Sequence, residues 1–142
     1  MSEELSKAAY NTLEEAAMGG FSWVLKHASS DWQQREYGFW VVLKAEKRAT
    51  YRYTTPERGE DTYVTIRIPD GLNIRAFSHT HPKSVTNGDF SSEDLDHFKQ
   101  VKNHIDFLAF YLMNPFQELR YAKEAKDFLR GKGLAWVKGI TE

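Results

Sequence analysis

The chain of 142 residues contains no cysteine. Disulfide bonds, thiolate metal ligands and cysteine nucleophiles are therefore excluded. Nineteen lysine and arginine residues nearly balance 20 aspartate and glutamate residues, which gives a net charge of -1. Because there is no basic excess to bind a phosphate backbone, we expect no nucleic-acid partner.

Long apolar runs are also missing. No stretch approaches the roughly 20 apolar residues that a membrane-spanning helix needs. The polar, acidic start over 1–7 lacks the basic and apolar regions of a signal peptide. We expect a soluble cytoplasmic protein without membrane contact, or one exported by a route that needs no signal peptide. Hydrophobic residues make up 41% and charged residues 27%, which is typical of one globular domain over 1–142.

Hydrophobic periodicity predicts a mixed α/β or α+β fold, because helical and strand patterns alternate along the chain. A helix is predicted over 3–18, and Gly19-Gly20 is expected to end or kink it before a short helical piece over 21–26. The other predicted segments are strands over 37–43, 50–54, 62–68, 74–78, 105–113 and 117–122, a loop over 56–61, a turn over 69–71, a helix over 91–101, and an ambiguous segment over 124–130.

Two histidines follow the predicted 74–78 strand at alternate positions. Side chains two residues apart on a strand point to the same face of a sheet, so His79 and His81 can reach one ion. Asp94 lies near the start of the next predicted helix and can supply a carboxylate from a neighbouring element. Two histidines and one carboxylate leave a fourth position for water, which is the ligand arrangement of a catalytic zinc.

The aspartate has a second explanation that needs no metal. Ser91 and Asp94 fit a capping box, in which a serine at the N-cap and an acidic residue at N3 satisfy the first backbone N–H groups of a helix. The two roles are compatible, since Ser91 can cap the helix while Asp94 turns toward a metal. Asp89 and Asp96 are the alternative carboxylate ligands.

A hydrolytic site also needs a general base and a donor to the oxyanion. The base should be a carboxylate near the metal but not bound to it. Glu36 is the candidate because it enters the 37–43 strand, and Glu14, Glu15 and Glu46 are the alternatives. Ser91 lies one helical turn before the aspartate ligand, so its hydroxyl is the candidate oxyanion donor.

The sequence HTHP at 79–82, followed by SSED at 91–94, resembles the JAMM motif of the JAB/MPN metallopeptidases. That motif reads as an upstream Glu, then H-x-H-P, then S-x-x-D. The resemblance implies Zn²⁺ bound by His79, His81 and Asp94, with Glu36 as base and Ser91 as oxyanion donor. It implies a cytidine-deaminase-like mixed β-sheet flanked by helices. It also implies a peptidase or isopeptidase that hydrolyses an amide bond of a protein or peptide substrate with a metal-bound water.

Within this superfamily the chain most resembles an uncharacterised bacterial JAB-like domain of Rhs-type and polymorphic toxin proteins, which implies a bacterial effector or toxin domain. The segments that carry this resemblance are 7–17, 36–38, 79–81, 90–94 and 110–114. Two features depart from the JAMM pattern. Nine residues separate His81 from Ser91, about two more than usual, and a glycine occupies the second position after Glu36 rather than the third.

Two other functions remain open. One is a catalytically inactive JAB/MPN-like protein-binding module, which metal content would distinguish from the enzyme. The other is a zinc deaminase, which the sequence disfavours because those enzymes use H-x-E with a P-C-x-x-C pair. The aromatic residues Tyr10, Phe21, Trp23 and Trp32 exceed what a small core is expected to hide, and an exposed cluster of this kind would indicate a protein partner.

Overall fold

The computed structural model describes residues 5–28, 30–45, 47–60, 67–68, 71–83, 90–105 and 109–129. Most of the predicted 62–68 strand and of the 69–71 turn lies outside these residues. The described helices are α1 (Leu13–Ala28), α2 (Ser92–Lys102) and α3 (Ala125–Leu129), with a 3-10 turn at Asp31–Gln33. The strands are β1 (Tyr37–Ala45), β2 (Ala49–Tyr53), β3 (Glu57–Arg58), β4 (Asn73–Thr80), β5 (Ala109–Met113) and β6 (Leu119–Ala122).

These strands form one mixed sheet in the order β2-β1-β4-β5-β6, and β3 also pairs with β1. Strand β1 is antiparallel to β2, β3 and β4, whereas β4 and β5 are parallel. A parallel pair needs a crossover connection, and α2 lies in the chain between β4 and β5. The predicted α+β class is confirmed by this arrangement.

The sheet buries a separate apolar cluster on each face because successive side chains of a strand point to opposite sides. Helix α1 packs on one face over Phe39 and Val41 of β1. The next residues of the same strand, Trp40 and Val42, belong to the cluster beneath α2 and α3. We refer to these as the α1 face and the α2 face. None of the described helices has the length and apolar character needed to cross a membrane.

The predicted helix break at Gly19-Gly20 is wrong. Helix α1 runs through both glycines and ends at Ala28. A Cβ atom at Gly20 would lie 2.3 Å from the ring of Phe39, so the absence of a side chain lets the helix approach the sheet closely. Gly20 is therefore a position of close packing between helix and sheet, and it does not end the helix.

The predicted start of this helix is also wrong, because α1 begins at Leu13. The preceding residues lie along β2: Leu5 forms a bridge with Thr54, and Tyr10 and Tyr51 exchange two backbone hydrogen bonds of 2.8 Å. Strand β2 is at the edge of the sheet, so its outer backbone groups can both donate and accept these bonds, and tertiary pairing outweighs a weak local helix preference. The predicted 56–61 loop likewise contains the short strand β3.

Candidate metal centre

The candidate site lies at the end of β4, on the α2 face. His79 follows Phe77 by two residues, and its ring packs on the Phe77 ring with centroids 5.7 Å apart. His81 lies just beyond the strand, and its backbone N–H donates to Met113 O at 3.1 Å. Both imidazoles are buried, at 2% and 1% exposure, and their Nε2 atoms are 3.2 Å apart. The structure therefore brings the two histidines together as the alternation predicts.

Asp94 caps α2 and also faces the two histidines. Its backbone N–H donates to Ser91 Oγ at 3.2 Å, and its Oδ2 accepts the Ser91 backbone N–H at 2.8 Å, which completes a capping box. The same carboxylate lies 2.9 Å from His79 Nε2 through Oδ1 and 3.2 Å from His81 Nε2 through Oδ2. The cap thus holds the carboxylate in the orientation that faces both rings.

Glu36 reaches the same place from the neighbouring strand. Gly38 of β1 lies opposite His79, and directly opposed residues of an antiparallel pair share a face of the sheet. Glu36, two residues earlier, is therefore on the histidine face. It is 5% exposed, and a carboxylate oxygen lies within 4.8 Å of a ring nitrogen of each histidine. Because Gly38 has no side chain, nothing from that position covers His79.

The backbone around Glu36 is held by a second segment. Its N–H donates to Glu60 O at 2.7 Å, and its carbonyl accepts the Gly59 N–H at 2.6 Å. One residue later, the Tyr37 hydroxyl donates to Asp31 Oδ2 at 2.6 Å. These contacts fix the start of β1. The sequence does not predict them, because the bonds to the 59–60 segment join positions more than 20 residues apart and the Tyr37–Asp31 bond crosses the 3-10 turn.

The charges within the cluster shift each pKa in a direction set by its neighbours. Burial lowers the pKa of His79, but the Asp94 carboxylate and Glu36 outweigh burial and raise it overall. Burial dominates at His81 and lowers its pKa. Burial alone would raise the pKa of Asp94, yet the two imidazoles hold it well below its usual range. The carboxylate therefore stays ionised between the rings.

Hydrogen bonds alone do not satisfy the three contacts among His79 Nε2, His81 Nε2 and the Asp94 carboxylate. If each Nε2 carries a proton for Asp94, the 3.2 Å contact between the two nitrogens has no acceptor lone pair. If either proton is missing, that nitrogen faces a carboxylate oxygen without a donor. Ligands about 2.0–2.1 Å from a tetrahedral ion lie about 3.3 Å from one another. The two Nε2 atoms are 3.2 Å apart, which is close to that value. Asp94 presents Oδ1 to His79 at 2.9 Å and Oδ2 to His81 at 3.2 Å, and Glu36 offers an oxygen within 4.8 Å of both rings. Both histidines, with a carboxylate from either residue, therefore have the ligand types that a metal ion needs.

The alternative acidic residues are not part of this cluster where the structure describes them. Asp96 and Glu15 are exposed, and Glu14 belongs to α1, which packs on the other face of the sheet. Asp89 and Glu46 lie outside the described residues.

His97 is closer to the site than its isolated position in the sequence suggests. Its ring packs between Phe77 and Phe110, with centroids 4.9 and 5.5 Å away. Burial, and then the charge of His79, lowers the pKa of His97. A neutral His97 therefore forms part of the apolar wall behind His79.

The four aromatic residues expected to form an exposed cluster do not do so. Phe21 and Trp32 are buried, at 0% and 3% exposure. Tyr10 and Trp23 are half-buried and line an open cavity of about 600 Å³ beside α1, together with Tyr53 and other residues. The surface offered to a partner in this region is therefore smaller than the sequence indicates.

No protein-family model, no curated protein and no solved structure matches this chain. The resemblance to the JAMM motif consequently depends on the residues at 79–82 and 91–94, with Glu36, and on the geometry that they adopt here.

Proposed function

We propose that this chain is a zinc-dependent hydrolase of JAMM type that cleaves a peptide or isopeptide bond, with a JAB/MPN-like version of its α+β fold. One observation carries the proposal: in a buried site, His79 Nε2 and His81 Nε2 lie 3.2 Å apart, and Asp94 places Oδ1 2.9 Å from the first and Oδ2 3.2 Å from the second. A metal ion here would take the lone pairs of both Nε2 atoms and the charge of the carboxylate together, which the ring protons cannot do.

In this proposal His79, His81 and Asp94 hold the ion. The donor set favours zinc, which binds imidazole nitrogen and carboxylate oxygen in tetrahedral sites and keeps one position open for catalysis. Zinc, when bound, supplies a water of lowered pKa and polarises the substrate carbonyl. Glu36 is the alternative third ligand, but Asp94 is favoured because both of its oxygens lie within 3.2 Å of a histidine nitrogen.

Glu36 is assigned as the general base. Its carboxylate faces the histidine pair from β1, and its backbone is fixed on both sides by the 59–60 segment. A carboxylate so placed takes a proton from the attacking water and delivers it to the leaving amine nitrogen. A single side chain can therefore serve both proton transfers.

Ser91 is assigned as the oxyanion donor. Its Oγ accepts the Asp94 backbone N–H, which uses a lone pair of the hydroxyl and leaves the O–H proton for another acceptor. The Asp94 carboxylate, on the same first turn of α2, faces both histidines, so this hydroxyl belongs to the helix start that borders the proposed metal centre. Such a donor stabilises developing negative charge.

A bacterial effector or toxin domain is the setting that the resemblance supports. The apolar walls of the site, formed by Phe77 and Phe90 near His79, suit an uncharged backbone amide better than a charged small molecule. The substrate class we propose is therefore a protein or peptide chain.

Hydrolysis of amide bonds in an unstructured protein mixture, followed by mass spectrometry of new termini, tests the assignment. Zinc-loaded wild type should produce defined cleavages. Glu36→Gln should lower the rate by at least about 100-fold, and His104→Ala, at an exposed histidine, should match wild type. Equal cleavage by wild type and Glu36→Gln would refute the assignment. Zinc binding without any cleavage would favour the inactive binding module instead.

A further inference from the structure

We infer that Thr80 is a positioning residue that sets the spacing between the strand bearing Glu36 and the strand end bearing both histidines. This inference rests on the proposed function, because it concerns how that site is held together. Thr80 is the residue between His79 and His81, and it is completely buried. In the sequence, its place in the motif is the one feature that points to it.

The Thr80 side chain makes one specific bond across the sheet. Its Oγ1 accepts the backbone N–H of Tyr37 at 2.9 Å. That N–H belongs to the peptide group that links Glu36 to Tyr37. One hydrogen bond therefore joins the chain carrying the proposed base directly to the chain carrying two proposed ligands.

The bond between Thr80 Oγ1 and the Tyr37 N–H stands where the backbone pairing of β1 with β4 ends. The last backbone pair between β1 and β4 is Gly38 with His79. One residue further, the hydroxyl of Thr80 takes the Tyr37 N–H in place of a backbone carbonyl. The hydroxyl thus keeps the two strand ends in register while they separate around the site.

The other contacts at the start of β1 do not set its spacing from β4. The hydrogen bonds of Glu36 to the 59–60 segment and of Tyr37 to Asp31 hold the start of β1, but they do not touch β4. Functional side chains have to be held within about 0.5 Å of their working geometry. Without the Thr80 hydroxyl, the Tyr37 N–H loses its partner and the end of β4 can shift relative to β1.

The chain contains a matched control for this bond. Thr54 Oγ1 accepts the backbone N–H of Trp40 at 2.9 Å, and Thr54 is 1% exposed. It makes the same kind of bond, to the same strand β1, at the same burial. Thr54 has no contact with the histidines or with Asp94 among its described hydrogen bonds.

The experiment compares Thr80→Val, Thr80→Ser and Thr54→Val. Zinc affinity is measured by competition with a chelator, and ligand geometry by the visible absorption of the Co²⁺-loaded protein. Thr80 lies between the two histidine ligands and bonds to β1 rather than to either ring. Thr80→Val should therefore lose about 10-fold in zinc affinity, the lower end of the loss caused by removing a direct partner of a ligand, and its Co²⁺ spectrum should change. Thr80→Ser should restore both, and Thr54→Val should leave both unchanged while losing thermal stability.

The outcomes separate this inference from the proposed function. If wild type binds zinc and Thr80→Val has the same zinc affinity and the same Co²⁺ spectrum, the inference alone is overturned. Equal losses in Thr80→Val and Thr54→Val also overturn it, since the effect is then general destabilisation. Wild type that binds no zinc overturns the proposed function together with the inference. If the valine variants do not fold, Thr80→Ala and Thr54→Ala provide the same comparison.

Discussion

The α1 face and the α2 face of the sheet are built from alternate residues of the same strands, yet they end differently. On the α1 face, an apolar cluster around Phe39 is covered by one helix. On the α2 face, an apolar cluster around Phe77 gives way to His79 and His81 at the carboxyl end of β4. Both faces stabilise the fold, but among the described residues it is the α2 face that brings two buried histidines together with carboxylates.

This difference shows how a small sheet can hold reactive groups without losing its core. Buried polar groups destabilise a protein unless they have partners. Here the histidines and their carboxylates lie at the junction of β1, β4 and the start of α2, where a helix cap and a cross-strand bond hold the neighbouring backbone. The following predictions test the division between the two faces, beginning with the largest expected effect.

Truncation of one phenylalanine on each face should separate stability from metal binding. Phe39→Ala and Phe77→Ala should each lower the free energy of unfolding by about 3–5 kcal/mol in urea titrations, because each removes a buried ring. Only Phe77→Ala should also weaken zinc binding, since its ring packs on His79. Equal loss of zinc affinity in both variants would show that the faces are not functionally distinct.

Asp94→Asn should separate the helix cap from the metal ligand. The amide oxygen can still accept the Ser91 N–H, so the cap is kept, but the charge that faces both histidines is lost. We expect zinc affinity to fall by more than about 100-fold, beyond the loss seen when an outer partner is removed. Glu93→Gln, at an exposed position of the same turn, is the control. Unchanged affinity in Asp94→Asn would leave Asp94 as a cap only and make Glu36 the third ligand.

The two glycines of α1 should respond in opposite directions to alanine. At Gly20 the new Cβ would lie 2.3 Å from the Phe39 ring, which is fully buried, so we expect a loss of about 1–3 kcal/mol in stability. At Gly19 it would meet the hydroxyl end of the half-buried Tyr10. That end can move, so the better helix propensity of alanine should add up to about 1 kcal/mol. Thermal denaturation of both variants measures the difference, and stabilisation by Gly20→Ala would refute the close packing.

Tyr37→Phe should have the smallest effect and should depend on pH. Burial and the hydrogen bond to Asp31 raise the pKa of Tyr37 to about 12 from 10.0. A pKa raised by folding contributes stability below pH 10, and that contribution is lost as the pH rises through about 12. Because Asp31 is partly exposed, we expect a difference of about 1 kcal/mol from wild type at pH 8. The unfolding free energies of wild type and Tyr37→Phe should converge as the pH rises from 8 to about 12. A difference that stays constant over this range would contradict the hydrogen bond between Tyr37 and Asp31.

Local patterns predicted much of the sheet and the second helix. Strands β1 and β4 follow from apolar runs, and α2 follows from its capping residues Ser91 and Asp94. The N-terminal residues were mispredicted because their helical spacing competes with pairing along the edge of β2. Gly20 was mispredicted because its role depends on Phe39, which no local pattern connects to it.

The residues of the candidate site also divide into those that local patterns predict and those that depend on contacts between strands. The histidine pair, Ser91 and Asp94 follow from alternation on a strand and from the helix start, both of which are short-range features. The approach of Glu36 depends on β1 lying next to β4, although β2 and β3 come between them in the chain. Thr80 was missed because its role is a bond between side chain and backbone across strands.

The number of zinc ions retained per chain tests the central claim most directly. Elemental analysis after zinc loading and gel filtration should give about one ion for wild type and close to none for His81→Ala, which removes one of three protein ligands of a tetrahedral site. Wild type without zinc, or His81→Ala with as much zinc as wild type, would contradict the account.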